Sequence, residues 1–273
     1  MRECLLCHQF LSANERLEGI RRCVNRLVSP RHYPQVFSLF NRLPLCVGCL
    51  AGLPFVGETI CHRCGRNMSA ASSDDPLLFC TDCRSFLAEV DPLTANRSAL
   101  RYDEQVKAVV AAYKYRGDER LAELFAVLAA SCYYRYYSGI SFRLITYVPL
   151  HDKRLAERGF NQVELIAKGL GRMVGLPVLP LLRRIKYTEK LSIQSGRTAR
   201  FASMQKAFAP GEGASQSFRL RRSGWLSRKT DRPKVLLLDD IFTTGATVRS
   251  CASAIKAIPD FADVEVYSLT LCR

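Results

Sequence analysis

The sequence has little that would carry it out of a cell. Its opening, Met1-Arg2-Glu3-Cys4, starts no apolar run, and no stretch is long enough to span a bilayer. The expectation is a cytoplasmic chain with no transmembrane segment, where thiols stay reduced. Acidic side chains are scarce: 25 Asp and Glu face 40 Lys and Arg, a formal net charge of +15. That balance suits acidic partners (phosphorylated substrates, nucleic acid, an anionic membrane face) or describes a solvated basic surface. Tryptophan occurs once. There is no internal repeat beyond a set of cysteine pairs, and no long flexible linker. The rest of the composition, 48% hydrophobic and 24% charged over 273 residues, is that of a globular protein of one medium or two small domains.

Cysteine, by contrast, is plentiful. Eight of the twelve form four Cys-x-x-Cys pairs: Cys4/Cys7, Cys46/Cys49, Cys61/Cys64 and Cys80/Cys83. A two-residue gap lets both thiolates of a tight knuckle reach one metal at a Zn–S distance of ~2.3 Å, and two knuckles complete a tetrahedron. Disulfides are the rival, but nothing exports the chain, and a redox-active pair would need a βαβ context that this region lacks. Two zinc ions are expected, the first knuckle pairing with the second and the third with the fourth. Neither set needs a carboxylate or water, so both sites read as closed and structural. His8 and His62 adjoin knuckles without being needed as ligands. Gly65 follows Cys64 where such a turn often requires positive φ. Two tetrathiolate sites of charge near −2 would lower the net charge to about +11, still strongly basic.

Two basic segments interrupt this plan. Within residues 8–45, Leu17, Ile20, Val24 and Leu27 recur at helical spacing among Arg16, Arg21, Arg22 and Arg26, predicting a basic amphipathic helix. Pro30 and Pro34 then bracket a turn before an apolar stretch at 36–40. The second segment, 219–229, sets Trp225 among Arg219, Arg221, Arg222, Arg228 and Lys229. Each fits an elaboration that packs on the body and turns its arginines to water. Each also fits nucleic-acid or membrane contact; on a single strand, Trp225 would stack on a base while arginines pair with phosphates.

A boundary is expected near Asp91-Pro92, separating residues 1–90 from 91–273. Beyond it, helices marked by Val106, Val109, Val110 and Tyr113, by Leu121, Leu124, Phe125 and Leu128, and by Val163, Ile166, Leu170 and Met173 alternate with strands at 142–150 and 264–271. This alternation predicts an α/β fold with a mainly parallel sheet. The most informative run is Val235-Leu236-Leu237-Leu238-Asp239-Asp240-Ile241-Phe242-Thr243-Thr244-Gly245-Ala246-Thr247. Its first four residues read as a strand buried on both faces. Val248, Cys251, Ile255 and Ile258 then recur with helical spacing until Pro259. A strand, a Thr/Gly loop and a helix N-terminus form a phosphate cradle, because the first-turn N–H groups lack intrahelical partners and the macrodipole favours an anion. Gly245 lets backbone approach a ligand, and Thr243, Thr244 and Thr247 offer hydroxyls. Asp239 and Asp240 stand at the carboxyl end of the strand, where open α/β sheets bind ligands. Carboxylates do not favour phosphate, so they suit neighbouring sugar hydroxyls, and a sugar phosphate fits both halves. The rival is a strand ending in helix-capping Asp and Thr residues.

A second cationic element, 148–162, places His151, Lys153, Arg154 and Arg158 after the 142–150 strand, again at the ligand edge. Fixed cations there would stabilise negative charge on a bound anion or an anionic leaving group. A polar loop with an N-capping Asn161 fits the same spacing.

The 235–247 run resembles the binding motif of type I phosphoribosyltransferases, in which two acidic residues take the ribose hydroxyls of phosphoribosyl pyrophosphate (PRPP) and the loop takes its 5-phosphate. Arg158-Gly159-Phe160-Asn161-Gln162 resembles a block of the ComF family, small phosphoribosyltransferase-like proteins often linked to bacterial DNA uptake. The paired N-terminal knuckles, Tyr113-Lys114-Tyr115-Arg116-Gly117-Asp118 and the order of the motifs are similar too. The resemblance covers nearly the whole chain outside residues 8–45 and the stretch around Trp225. It implies a double zinc ribbon over 1–90 and a type I phosphoribosyltransferase-like domain over 91–273. It further implies PRPP bound with magnesium: Asp239 and Asp240 on ribose, Thr243, Thr244, Gly245, Ala246 and Thr247 on the 5-phosphate, and His151, Lys153 and Arg154 on pyrophosphate. Asp239, Asp240, Arg154 and Arg158 form the implied catalytic set for transfer to a nitrogen acceptor. The alternative implication is a DNA-uptake accessory protein that binds single-stranded DNA with weak or no turnover. One departure bears on that choice. Family members carry a Gln, an Arg and an Asn before an Ala-Phe ending. Here the 188–208 segment keeps Arg200 and Ala207-Phe208, has Ser203 at the Asn position and has no Gln in register. The acceptor and the oligomeric state leave no motif.

Overall fold

The computed structural model describes residues 3–11, 13–68, 78–84, 91–116, 120–186, 206–211, 214 and 232–273. Arg200, Ser203, Gly117, Asp118 and the basic segment around Trp225 lie outside them. Four helices precede the first strand: α1 (Ala13–Leu27), α2 (Tyr33–Arg42), α3 (Val47–Gly52) and α4 (Thr81–Arg84). Then follow β1 (Leu93–Leu100), α5 (Glu104–Arg116), α6 (Arg120–Tyr136), β2 (Phe142–Tyr147), α7 (Asp152–Arg158) and α8 (Gln162–Val174). The chain closes with β3 (Leu182–Arg184), β4 (Phe208–Pro210), β5 (Lys234–Ile241), α9 (Ala246–Lys256) and β6 (Glu265–Cys272).

Four strands form one parallel sheet in the order β1-β6-β5-β2, and β3 pairs with β4 in a separate antiparallel ribbon. β5 is central and carries the apolar run read from the sequence. Val235, Leu236 and Leu237 have no exposed surface, and they alternate between two cores. Leu236 and Leu238 face a core built with α5, α6, α8, α1 and α2; Val235 and Leu237 face one built with α9 and the β3–β4 ribbon. Continuous apolar sequence here reflects burial on both sides.

Both cores extend across residue 90. The first takes in Ile20, Val24, Val36 and Phe40 from the 8–45 segment, together with Cys4; the second takes in Cys61, Cys64, Cys80 and Cys83. The sheet edges are also covered. Pro54–Val56 runs beside β1, with Val56 N–H donating to Ala99 O at 3.1 Å and Arg101 N–H to Pro54 O at 2.8 Å. At the other edge Ile145 exchanges backbone bonds with Pro177 and Leu179 at 2.8 and 2.9 Å. Neither edge is left as a template for pairing with another chain.

The helical periodicity is realised in α1, α2, α5, α6 and α8. Two details differ from the sequence reading. Leu17, assigned to the apolar face of α1, is 43% exposed. The strand expected over 142–150 ends at Tyr147; Val148 still donates to Leu238 O at 2.9 Å, but Pro149 has no N–H and His151 already caps α7. Among the described residues, no helix is long and apolar enough to cross a membrane.

Candidate functional site

The cysteines gather as their order in the chain suggests. Cys4, Cys7, Cys46 and Cys49 bring their sulfurs within 4.8 Å of one another, and Cys61, Cys64, Cys80 and Cys83 do the same. All twelve cysteines are free thiols. The two clusters share one backbone scheme. Cys4 N–H donates to Gln9 O and Cys61 N–H to Arg66 O; Leu5 N–H donates to Pro44 O and His62 N–H to Leu78 O. In each cluster the third cysteine's N–H points at the first cysteine's sulfur, Cys46 to Cys4 and Cys80 to Cys61, both at 3.3 Å. Such N–H···S bonds favour thiolate, and they hold Cys4 at about 7 although burial works the other way. Gly65 has φ +70°, as its place after Cys64 requires, and His8 takes the same left-handed turn after Cys7 at φ 60°.

Tetrahedral zinc with Zn–S of ~2.3 Å separates neighbouring sulfurs by about 3.8 Å. Cys7 and Cys46 sulfurs lie 3.7 Å apart, and Cys64 and Cys80 sulfurs 3.6 Å. Four thiols this close cannot all ionise without a cation, and in the fully buried second cluster the sharing shows: hydrogen bonds from Cys64 and Cys83 pull the Cys61 thiol far down, while Cys61 pushes Cys64 up to about 12. The donors, spacing and charge demand fit a structural zinc in each cluster, that is, a double zinc ribbon.

The second constellation lies at the carboxyl ends of β5 and β2. Parallel pairing sets Tyr147 opposite Leu238, so the residues after both strands emerge on the same sheet edge. Asp239 is 8% exposed, accepts from Asp240 N–H at 2.8 Å, and is pushed by burial and then by Asp240 up to about 8. Asp240 instead forms an ion pair with Lys114 of α5. Burial works against that ammonium, but Asp240 outweighs it and holds Lys114 above the ordinary lysine range. One carboxylate is thus buried and the other ion-paired. Cys251 and Cys272, near the same carboxylates, are driven up by burial above the range of reactive thiols.

After β5 the chain turns through Phe242 to Gly245 into α9. Thr243 is exposed, and Thr244 and Thr247 are half-buried. Gly245 caps the helix at φ +79°; a Cβ there would come within 2.5 Å of the Phe242 ring and closer still to Arg249. Only glycine suits that place. The 151–158 cations reach the same edge as a short helix. His151 caps α7, its Nδ1 accepting from Lys153 N–H at 3.3 Å, and Arg158 donates to Gln162 Oε1 at 3.2 Å. Arg154 is half-buried and lies in the electrostatic neighbourhood of Arg184 at the end of β3, which also feels Asp239. Asn161 caps α8, accepting from Val163 N–H at 3.0 Å and donating to Val148 O at 3.2 Å, which ties α8 to the end of β2.

Three charged groups at this site carry no role in the sequence reading. Lys114 stands in the Tyr113–Asp118 block, but nothing in its spacing pairs it with Asp240. Arg184 follows an irregular stretch. Arg249 faces back along α9: its Nη1 donates to Thr244 O at 3.0 Å, and its Nε and Nη2 grip Asp91 at 2.9–3.1 Å. A buried arginine in an otherwise small and apolar helix is the one sequence signal for it.

A parallel α/β sheet carrying an acidic pair, a Gly-capped helix N-terminus and a cationic loop on one edge, with two four-cysteine clusters ahead of it, is an arrangement similar to that of ComF proteins. Comparison with known proteins agrees. The chain is 26% identical over 228 residues to the competence protein ComFC of Bacillus subtilis, covering 82% of this chain and 83% of that one. It is 28% identical over 225 residues to ComFC of Streptococcus pneumoniae, covering 82% and 86%. Competence protein F of Haemophilus influenzae matches at 27% over 123 residues, 45% of this chain and 47% of its own. No family model matches the chain.

Proposed function

We propose that this chain is a cytoplasmic ComF-type protein that binds PRPP, or a related sugar phosphate, through a type I phosphoribosyltransferase-like site, with structural zinc in both cysteine clusters. The observation that carries this reading is the convergence of Asp239 and Asp240, the Gly245-capped start of α9 and the 151–158 cations on one sheet edge. Asp239 and Asp240 take the ribose hydroxyls. Thr243, Thr244, Gly245, Ala246 and Thr247 take the 5-phosphate through backbone N–H groups and hydroxyls. His151, Lys153 and Arg154 meet the pyrophosphate, and Arg158 belongs to the same cationic element. Magnesium carried by the diphosphate would offset charge on the leaving group beside His151, Lys153 and Arg154.

The chemistry open to such a site is displacement at C1 of ribose. The bond from C1 to the pyrophosphate oxygen breaks, its electron pair leaves with pyrophosphate, and a nitrogen lone pair forms the new bond. The transition state resembles an oxocarbenium ion. The arginines and lysine of the 151–158 element gain most as charge collects on the departing diphosphate, so they stabilise the transition state more than the ground state.

The test is calorimetry of PRPP binding. Above about pH 8, where Asp239 is ionised, hydrogen bonds to charged groups contribute roughly 1.5–3 kcal/mol each. The double substitution Asp239→Asn, Asp240→Asn should therefore lower affinity at least about tenfold while keeping the fold. Ribose 5-phosphate should compete and free ribose should not. Unchanged affinity in the folded double variant would remove the sugar-phosphate assignment.

The relatives' shared name favours a second reading: an accessory protein of competence that binds single-stranded DNA, with this site as a sensor or platform. A PRPP-dependent assay of pyrophosphate release across nitrogen bases, with and without single-stranded DNA, separates the two.

A further inference from the structure

The two cysteine clusters, alike in backbone scheme, sit on opposite faces of the sheet. The first belongs to the core with α1, α2 and α6. The second belongs to the core that holds Phe242, Ala246, Val248 and Cys251, the loop and helix of the proposed 5-phosphate cradle. Two sets of contacts join the second cluster to that loop. Arg63, between Cys61 and Cys64, lies 3.8 Å from the Asp91 carboxylate. Asp91, only 5% exposed, is gripped on both oxygens by Arg249, whose remaining nitrogen holds Thr244 O at 3.0 Å. Separately, the Arg273 guanidinium stacks on the Phe242 ring at 4.6 Å and feels Cys64, Cys80 and Cys83. Its Nε and Nη1 are buried without a hydrogen-bond partner among the described residues. A cation so placed, beside three of the four sulfurs, is the counter-charge that a dianionic metal–tetrathiolate group requires.

We propose that Asp91 and Arg249, linked to the second cysteine cluster by Arg63 and Arg273, are positioning residues for the 242–247 loop, so that the metal state of that one cluster sets the loop's geometry and the first cluster's does not. The charges are paired in a chain, with the Asp91 and Arg249 side chains almost wholly buried and Arg63 partly so. Removing metal from the second cluster discharges the group facing Arg273 and frees the knuckle that carries Arg63. Arg249 then loses the fixed carboxylate that aims it at Thr244 O, and the backbone around Gly245 relaxes. The phosphate enters only through the sugar-phosphate reading; the coupling of cluster to loop stands without it.

Hydrogen exchange on the full-length zinc-loaded protein tests this. In Cys64→Ser, amides of residues 243–248 should exchange about tenfold faster, the size of an ordinary coupling between sites. In Cys7→Ser they should keep wild-type protection. Asp91→Asn retains all eight thiols and should loosen the same amides, with Asp91→Glu restoring protection in part. Metal content is measured alongside; loss of zinc by Asp91→Asn would report the same coupling from the other end. By reciprocity, bound ribose 5-phosphate should slow zinc release from the second cluster to a chromogenic chelator, and Asp91→Asn should abolish that slowing. A purely structural role would lower thermal stability and leave loop exchange at wild-type values. Wild-type loop protection in Asp91→Asn with two metals bound would overturn the proposal, even if Cys64→Ser fails to fold. Absence of ribose 5-phosphate binding to wild type would remove the sugar-phosphate reading and leave the exchange result standing.

Discussion

Asp239 is the residue whose environment is most at odds with its charge. It lies at the end of a buried strand, Asp240 is beside it, and Lys114 pairs with Asp240 instead. Its carboxyl is raised from an ordinary value of 3.8 to about 8, so the folded protein keeps a proton that the unfolded chain releases. The native state then binds more protons than the unfolded state between these values, and stability falls as pH rises through that window. The stabilisation is fully present below about pH 4 and is lost as the folded group ionises near pH 8. Asp239→Asn keeps the shape and cannot ionise. We expect it to flatten this slope and, at pH 8, to be more stable than wild type by at least ~1 kcal/mol, or roughly 2–4 °C in Tm for a chain of this size. Thermal melts of both proteins from pH 4.5 to 8.5 check this; parallel curves would show that Asp239 is not the titrating group. On the proposed reading, such destabilisation would be the counterpart of ribose binding, because a buried acceptor is strongest for hydroxyls once it carries charge.

At the scale of elements, periodicity decided what could be read. The apolar spacing in α1, α5, α6 and α8 and the unbroken apolar run of β5 follow from burial on one helix face or two sheet faces, which are local properties of sequence. Partners far apart in the chain have no such signature. Arg249 and Asp91 are 158 positions apart, and Asp91 reads from the sequence only as a boundary residue beside a proline. Arg16 is a further case. It reads as one of four arginines around an amphipathic helix, yet its Nη2 donates to Asn41 O at 2.6 Å and to Leu43 O, binding the carbonyls at the end of α2. Arg21, Arg22 and Arg26 are exposed as expected. A cation on terminal carbonyls complements both their missing partners and the helix dipole. Arg16→Ala should therefore cost about 1–3 kcal/mol. Hydrogen exchange should rise in α2 while β5 keeps its protection. Arg21→Ala, as an exposed comparison, should change stability by under ~0.5 kcal/mol.

For the whole molecule, the division into residues 1–90 and 91–273 remains our proposal for how the chain is organised, and both cores run across it. Metal energy in the four knuckles should act as folding energy for the first ~90 residues. Purified protein should contain two zinc ions per chain, and Cys61→Ser should release one while the sheet keeps its circular dichroism. Zero or one zinc in the wild type would refute the double site. Charge belongs to this scale as well. If the second reading holds, binding to single strands should weaken steeply with salt, since each neutralised phosphate releases counterions. Trp225→Ala should then cost a further ~1–3 kcal/mol without altering that slope, and Arg221→Ala with Arg222→Ala should flatten it. Filter binding at ~0.15 M salt that retains no oligonucleotide would end that reading.

The shared backbone scheme of the two ribbons has a practical side. In each, the knuckles are closed by the same few hydrogen bonds and by sulfur, while the span between them is residues 8–45 in one and 65–79 in the other. A clasp fastened at its base is nearly indifferent to what hangs from it, because the entropy of closing a loop grows only as the logarithm of its length. The first ribbon already carries two helices as cargo. The second, with the shorter span, is therefore a natural grafting point: a reporter domain inserted between Cys64 and Cys80 should leave the metal content of both clusters unchanged.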